Sequence, residues 1–156
     1  MREQDQPTTI VPAGTDDIRS IVSAYEWLFA PPGRRSPAWD EASAKERLNK
    51  LIVSPVGRVL TAKRNLQLVG FCTIYLDIES VRFGQRAWVE DLAVHPDYRS
   101  QGIGKLLLDS AKEWAKSMGA THLTLESSVK RIDAHRFYER EDPSNTSRSF
   151  NWNLIS

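Results

Sequence analysis

Apolar side chains recur at helical spacing in three parts of the chain. They run through residues 18–28, and Thr15 followed by Asp16 and Asp17 predicts the capped start of that helix. A second helix is predicted over residues 40–52. The longest pattern predicts a helix whose apolar face consists of Ile103, Leu106, Leu107, Ala111, Trp114 and Ala115.

Stretches of strand length fill most of the remaining chain. Residues 57–62 and 66–76, separated by Lys63, Arg64 and Asn65, predict an antiparallel hairpin. The other predicted strands are residues 8–12, 86–94 and 121–126. Three prolines within residues 30–37 exclude a helix there and predict a surface loop. This order of elements predicts a mixed sheet with helices packed on it.

Composition narrows the class of protein. A length of 156 residues favours one domain over 1–156, with residues 1–7 as a flexible tail. The 21 basic and 20 acidic side chains nearly balance, which gives no support for a nucleic-acid partner. No apolar run approaches the roughly 18 residues of a membrane span, and the N-terminus lacks the apolar centre of a signal peptide. We therefore expect a soluble, cytoplasmic protein without a membrane partner.

The junction between the predicted strand 86–94 and the long helix is the strongest candidate for chemistry. Gly102 and Gly104 lie where the first turn of that helix has unpaired N–H groups and a partial positive charge. Glycine lets an anionic ligand approach the backbone, and Arg99 can add a charge-assisted contact, so a pyrophosphate would fit. The alternative is a tight turn whose glycines serve only packing.

Two sequence blocks together carry a family resemblance. Arg99-x-x-Gly102-x-Gly104, preceded by residues 89–96, resembles the acetyl-CoA motif of the GNAT acetyltransferase superfamily, and residues 133–140 resemble a helix near the end of that fold. The resemblance is strongest over residues 88–140. It implies an α/β (α+β) fold of GNAT type, with a mostly antiparallel central sheet flanked by about four helices, and acetyl-CoA as co-substrate. The cofactor-binding residues that it implies are Leu92, Ala93, Val94, Arg99, Ser100, Gln101, Gly102, Ile103, Gly104, Lys105 and Arg131.

The resemblance leaves the acceptor more open than the cofactor. Residues 127–138 are similar to the corresponding segment of the aminoalkylphosphonate N-acetyltransferases, which implies a small primary amine that carries an anionic group. Acceptor loops diverge among proteins that share one fold. Two alternatives therefore stay open, namely a non-catalytic acyl-CoA sensor or docking module and a peptide or protein N-acetyltransferase. By analogy with the superfamily, a homodimer is expected.

Two side chains are predicted to move protons. An acceptor ammonium must lose a proton before it attacks a thioester, so a carboxylate is needed, and Glu90 and Asp91 are the candidates. Since successive strand side chains point to opposite faces, only one of them is expected to face the cleft. The resemblance favours Glu90; the alternative is that Glu90 pairs with Arg86 or Arg82.

The departing thiolate also needs a proton or a hydrogen bond. The resemblance assigns this role to Tyr138, and the alternative is that Tyr138 anchors the last helix beside Phe137. The acetyl oxygen gathers negative charge during attack, and the resemblance implies that a backbone N–H within residues 92–94 polarises it. No nucleophile is evident, so direct transfer is predicted.

Several other side chains receive weaker assignments. His122, Glu126, Asp133 and His135 lack a recognised ligand spacing, so no metal is predicted. His95 is interpreted as a turn residue and Trp114 as part of the core, whereas Trp27 and Trp39 are candidates for an acceptor pocket. Arg34 and Arg35 either face an anionic substrate or are solvated.

The chain also departs from the family pattern near its end. Residues 141–145 replace the usual Gly-aromatic pair, which leaves the turn into a last predicted strand, 148–154, open. Arg131 stands where the family often has asparagine, so a contact with a phosphate of CoA or with an anionic acceptor is expected instead. The lone Cys72 has no partner for an internal disulfide and is interpreted as a small buried hydrophobe.

Overall fold

The computed structural model describes residues 6–155 and contains two compact units, Met1–Leu125 and Glu126–Ser156. The predicted tail over residues 1–7 therefore lies largely outside the described residues, and the single domain stays a prediction. The elements of the first unit are β1 (Thr9–Pro12), α1 (Ile18–Ala24), α2 (Glu26–Phe29), α3 (Glu41–Val53), β2 (Gly57–Arg64), β3 (Gln67–Leu76), β4 (Arg86–Val94), α4 (Ile103–Ser117) and β5 (His122–Leu125). The second unit contains α5 (Ile132–Arg140).

The first unit is built on a five-stranded sheet with the strand order β1-β2-β3-β4-β5. Pairing is antiparallel between each of the first four strands, whereas β5 runs parallel to β4. If the adjoining α1 and α2 are counted as one helical region, the described residues hold four such regions, three in the first unit and α5 in the second. The predicted mixed α/β fold with a mostly antiparallel sheet is confirmed.

The core consists of two clusters on opposite faces of the sheet. On one face, α4 buries Ile103, Leu107, Ala111 and Trp114 against β2, β3 and β4. On the other face, Ile21 and Leu48 of the first helices pack against Phe71 and Ala93. The core position predicted for Trp114 is confirmed. Cys72 lies in the first cluster, where burial raises the pKa of its thiol to about 12.

Three local predictions are wrong. The helix predicted through residues 18–28 is two helices that meet at Tyr25, and Asp17 accepts the backbone N–H of Gly14 at 2.8 Å in place of a cap by Thr15. Lys63 and Arg64 extend β2, so the hairpin turn is Asn65 and Leu66, with φ of 46° and 66°. Charged residues read as a turn in sequence, but here their side chains have partners within the fold.

The predicted last strand is also absent from the described structure. Residues 148–154 alternate polar and apolar side chains as a strand would, yet they pair with no strand and leave Phe150, Trp152 and Leu154 exposed. Alternation alone cannot form a strand, because a strand needs a neighbour for its backbone groups. None of the helices over residues 6–155 is long and apolar enough to cross a membrane.

Candidate active site

The junction between β4 and α4 is an open turn. After a 3-10 turn at Pro96–Tyr98, Ser100 and Gly102 both adopt left-handed backbone conformations, with φ of 62° and 82°. Gly102 is the N-cap of α4 and offers no side-chain acceptor to the first turn of the helix. A Cβ atom added to Gly102 would find nothing within 4 Å, so the space above it is open. An anion can therefore approach these amides closely.

The side chains around this turn are held by local contacts. His95 accepts the backbone N–H of Asp97 through Nδ1 at 3.0 Å, which confirms His95 as a turn residue. Arg99 donates from Nε to the carbonyl oxygen of Val94 at 3.4 Å, and Nζ of Lys105 lies 3.3 Å from Oδ2 of Asp109. The guanidinium of Arg99 thus lies at the point where β4 ends, beside the predicted anion site.

β4 and β5 separate before β4 ends. In the part of the chain that the structure describes, β5 pairs with β4 only from Arg86 to Val89, while β4 continues to Val94. The N–H of His95 donates to the carbonyl oxygen of Val69 on β3 at 2.9 Å. Ala93, two residues earlier, pairs with Phe71, so its N–H also points toward β3. Because amides alternate sides along a strand, those of Leu92 and Val94 point away from β3, toward the opening.

A β-bulge lies at the point where the two strands separate. Thr73 pairs with Asp91 and Ile74 pairs with Val89, so Glu90 is an extra residue in β4. The bulge turns both carboxylates to the face that carries Thr73 and Tyr75: Asp91 contacts Thr73, and Glu90 contacts Tyr75. The expectation that only one of Glu90 and Asp91 faces this side is therefore wrong, because it assumed an unbroken alternation.

Asp91 is bound from two sides. The hydroxyl of Tyr25 donates to Oδ2 of Asp91 at 2.6 Å, and Thr73 Oγ1 lies 3.5 Å from the same oxygen. The backbone N–H of Asp91 donates to Thr73 Oγ1 at 3.0 Å. Burial, followed by the negative charge of Asp91, raises the pKa of Tyr25 well above its ordinary value. Tyr25 thus stays protonated and acts as a fixed donor.

Glu90 is exposed and is held by neutral donors. Its Oε2 accepts the indole N–H of Trp88 at 2.6 Å and lies 3.5 Å from the hydroxyl of Tyr75. Burial and the charge of Glu90 raise the pKa of Tyr75 to about 12. The cations that were the alternative partners lie elsewhere: Arg86 is 3.8 Å from Asp77, and the Arg82 guanidinium lies over the Phe83 ring. Glu90 is thus an exposed carboxylate without a cationic partner among the contacts of the described residues, and its role as the base stays a prediction.

Aromatic side chains surround Tyr25. Trp39 lies with its ring centroid 5.3 Å from that of Tyr25, and Phe29 packs edge-on against Trp39 at 4.8 Å. Trp39 thus packs against the second core cluster, and its place in an acceptor pocket stays a prediction. Trp27 instead packs against His95, at 5.1 Å. Arg35 forms an exposed ion pair with Glu26, which favours a solvated surface cation over a contact with an anionic substrate.

The second unit contains the remaining predicted residues. Tyr138 lies on α5, with its ring centroid 5.1 Å from that of Phe137, and Arg131 is the N-cap of that helix. The catalytic assignment of Tyr138 and the phosphate contact of Arg131 stay predictions. Within residues 6–155, no three His, Cys, Asp or Glu side chains converge as metal ligands would.

Four residues of this face carry no sequence signal that identifies them. Tyr25 is one apolar position in a helical pattern, and Thr73, Tyr75 and Trp88 look like ordinary strand residues. Strand register brings Thr73 to Asp91, and the bulge brings Glu90 to Tyr75. Packing of the first helical region brings Tyr25 to Asp91. No glycine or proline marks the bulge in the sequence.

Comparisons with known proteins agree with this architecture. The pattern described as the Acetyltransferase (GNAT) family matches residues 21–141. The uncharacterized N-acetyltransferase YhdJ of Bacillus subtilis (strain 168) is 44% identical over 123 residues, which cover 78% of this chain and 86% of that protein. The aminoalkylphosphonate N-acetyltransferase of Salmonella typhimurium is 38% identical over 80 residues, 51% of this chain and 52% of that protein, so only about half of each is compared.

Solved structures share the fold. The aminoglycoside N-acetyltransferase AAC(6')-Iy, in complex with CoA, superposes with a TM-score of 0.82 over 97% of both chains, at 12% sequence identity. At such low identity the likeness concerns the backbone alone. It covers the same mixed sheet and accompanying helices.

Proposed function

We propose that this chain, which belongs to the acetyltransferase (GNAT) family and is an acetyl-CoA-dependent acetyltransferase, transfers the acetyl group directly to the primary amine of a small molecule. The observation that carries the proposal is the bulge at Glu90, which presents an exposed carboxylate where β4 and β5 separate. The open amides of Leu92 and Val94 lie on the same strand. A base and a donor for the acetyl oxygen are thus available within a few residues.

Each step of the transfer has a group to perform it. Glu90 removes a proton from the acceptor ammonium, directly or through water, and the free amine attacks the acetyl carbonyl carbon. An N–H within residues 92–94 stabilises the negative charge on the carbonyl oxygen. The attached nitrogen then loses its second proton to solvent, the C–S bond breaks, the amide forms, and Tyr138 protonates the CoA thiolate and regains a proton from solvent. Holding both reactants in one site replaces the need for a covalent enzyme intermediate.

The cofactor is assigned to the turn before α4. Arg99 and the residues up to Lys105 hold the diphosphate, with the amides of the first turn as donors. The left-handed conformation of Gly102 and the open space above it support this assignment. Arg131 is assigned a phosphate of CoA or an anionic group of the acceptor.

Two carboxylates on one face favour a positively charged acceptor. Trp88 and Tyr75 flank Glu90, and an ammonium is attracted both by carboxylates and by aromatic faces. The resemblance to aminoalkylphosphonate N-acetyltransferases favours an amine that also bears an anion. A purely cationic amine and an amine that also bears an anion share the reactive ammonium. They differ in the rest of the molecule.

Two measurements test the proposal. Isothermal titration is expected to show acetyl-CoA binding at sub-millimolar concentration, and failure to bind would count against the enzyme. Thiol release is then read across aminophosphonates, polyamines and aminoglycosides. We expect turnover with at least one small amine. Binding without release across the whole panel would favour a sensor, and release with peptide amines alone would favour a protein N-acetyltransferase.

A further inference from the structure

Arg64, the last residue of β2, is a buried cation whose contacts are all neutral. The residue is 7% exposed. Its Nε donates to Oγ1 of Thr8 at 2.8 Å, its Nη1 donates to Oε1 of Gln101 at 2.7 Å, and its Cζ lies 5.4 Å from the ring centroid of Tyr98. Within residues 6–155, none of these contacts supplies a negative charge. A buried guanidinium without a carboxylate bears a desolvation cost that no opposite charge offsets.

The position of Arg64 adds to that cost. Gln101 directly precedes Gly102, the N-cap of α4, so the guanidinium is hydrogen-bonded to a side chain just before that helix begins. The helix macrodipole gives that end a partial positive charge, which a cation opposes. A cation is therefore hydrogen-bonded to the residue that precedes the N-cap of α4. An anion at the turn would be attracted by both the cation and the helix end.

The neighbouring residue provides a contrast. Lys63 lies on the same strand, and its Nζ is 2.6 Å from Oδ1 of Asp17. Burial would raise the pKa of Asp17, but hydrogen bonds from Lys63 and from the backbone N–H of Gly14 hold it below its ordinary value. The charge of Lys63 is thus neutralised locally, whereas that of Arg64 is not. Of these two neighbouring cations, only Lys63 has an acidic partner among the described residues.

We propose that Arg64 is a positioning residue for the cofactor diphosphate. From beneath the turn it holds Gln101 through Nη1 and adds positive charge to the site that the amides of residues 102–104 form. The proposal rests on the proposed function, since it assigns the anion to the diphosphate of acetyl-CoA. Loss of such a residue should lower kcat/KM more for a thioester that carries the diphosphate than for one that lacks it.

The test compares two acetyl donors, acetyl-CoA and acetyl-pantetheine, which has the thioester arm but no diphosphate. For Arg64→Met, kcat/KM is expected to fall at least tenfold more with acetyl-CoA than with acetyl-pantetheine, mainly through KM. Arg64→Lys should recover part of the loss because it keeps the charge. Lys63→Met removes one positive charge from the same strand and should leave the ratio of the two donors unchanged.

Gln101→Ala keeps the proposal testable if Arg64→Met does not fold. Gln101 is exposed, so its truncation should preserve the fold and shift the ratio in the same direction by a smaller factor. An equal loss with both donors, or no loss with either, would overturn the assignment of Arg64. If unmodified protein neither binds acetyl-CoA nor turns it over, the proposed function itself fails, which is a different result.

Discussion

The hydroxyl of Tyr25 lies 2.6 Å from Oδ2 of Asp91 and connects the first helical region to the bulged strand. The ring of Tyr25 packs against Phe71 at 5.0 Å between centroids, so the hydroxyl is held in place from behind. A tyrosine that meets a carboxylate in this way fixes one of the two acids of the face. The other, Glu90, stays exposed and available to a substrate.

Replacement of Tyr25 by phenylalanine should change the stability of the protein at alkaline pH. Because the folded state raises the pKa of Tyr25, its contribution is complete below about pH 10, the ordinary tyrosine value, and is lost as the pH rises further. The free energy of unfolding of the unmodified protein should therefore fall above pH 10, and Tyr25→Phe should flatten that fall. Urea denaturation between pH 8 and pH 11 measures the free energy of unfolding of both proteins. Parallel plots of that free energy against pH would contradict the expectation.

The two carboxylates of the face should differ in their roles. Glu90→Gln removes the proposed base, and we expect kcat to fall by about 10²–10⁴-fold, the usual contribution of a positioned base, with little change in acetyl-CoA affinity. Asp91→Asn keeps the shape and is expected to act mainly on the KM of the acceptor and on stability, because Asp91 is occupied by Tyr25. Steady-state kinetics on both variants decides the matter. A collapse of kcat in Asp91→Asn with near-normal turnover in Glu90→Gln would exchange the assignments.

Tyr138→Phe tests the proposed acid. Loss of the hydroxyl should lower turnover more than it lowers acetyl-CoA affinity, because the proton is needed only when the thiolate departs. Turnover by thiol release and affinity by isothermal titration give the two numbers. Phe137→Leu is a suitable control, since it alters the neighbouring ring contact and keeps the hydroxyl. Unchanged turnover in Tyr138→Phe would reject the acid role.

Gly102 and Gly119 flank α4 and form a matched pair. Gly102 at its start and Gly119 beyond its end have φ of 82° and 83°, and a Cβ on either would meet nothing within 4 Å. Alanine at each should cost about 1–2 kcal/mol of stability, the penalty for a left-handed conformation. Only Gly102→Ala should weaken acetyl-CoA binding, because its methyl group intrudes where the diphosphate is assigned. Equal affinities in both variants would argue against that location.

The sequence predicts most where the signal is local. The predicted bounds of β4, residues 86–94, are those observed, because its apolar positions and the turn directly after it are neighbours in the sequence. The facing of Glu90 and Asp91 was not predictable, since it depends on how Val89 and Asp91 pair with β3. Arg64 likewise looked like a turn residue, because its partners Thr8 and Gln101 are distant in sequence.

The buried position of Cys72 has a practical consequence. It is the chain's one cysteine, and its raised pKa keeps it as an unreactive thiol at neutral pH. A chromogenic disulfide reagent added during catalysis should therefore spare the native protein and titrate the liberated coenzyme alone. The same reagent should colour once per chain when the protein unfolds, which makes a single dye both the assay of the reaction and a monitor of the enzyme's integrity.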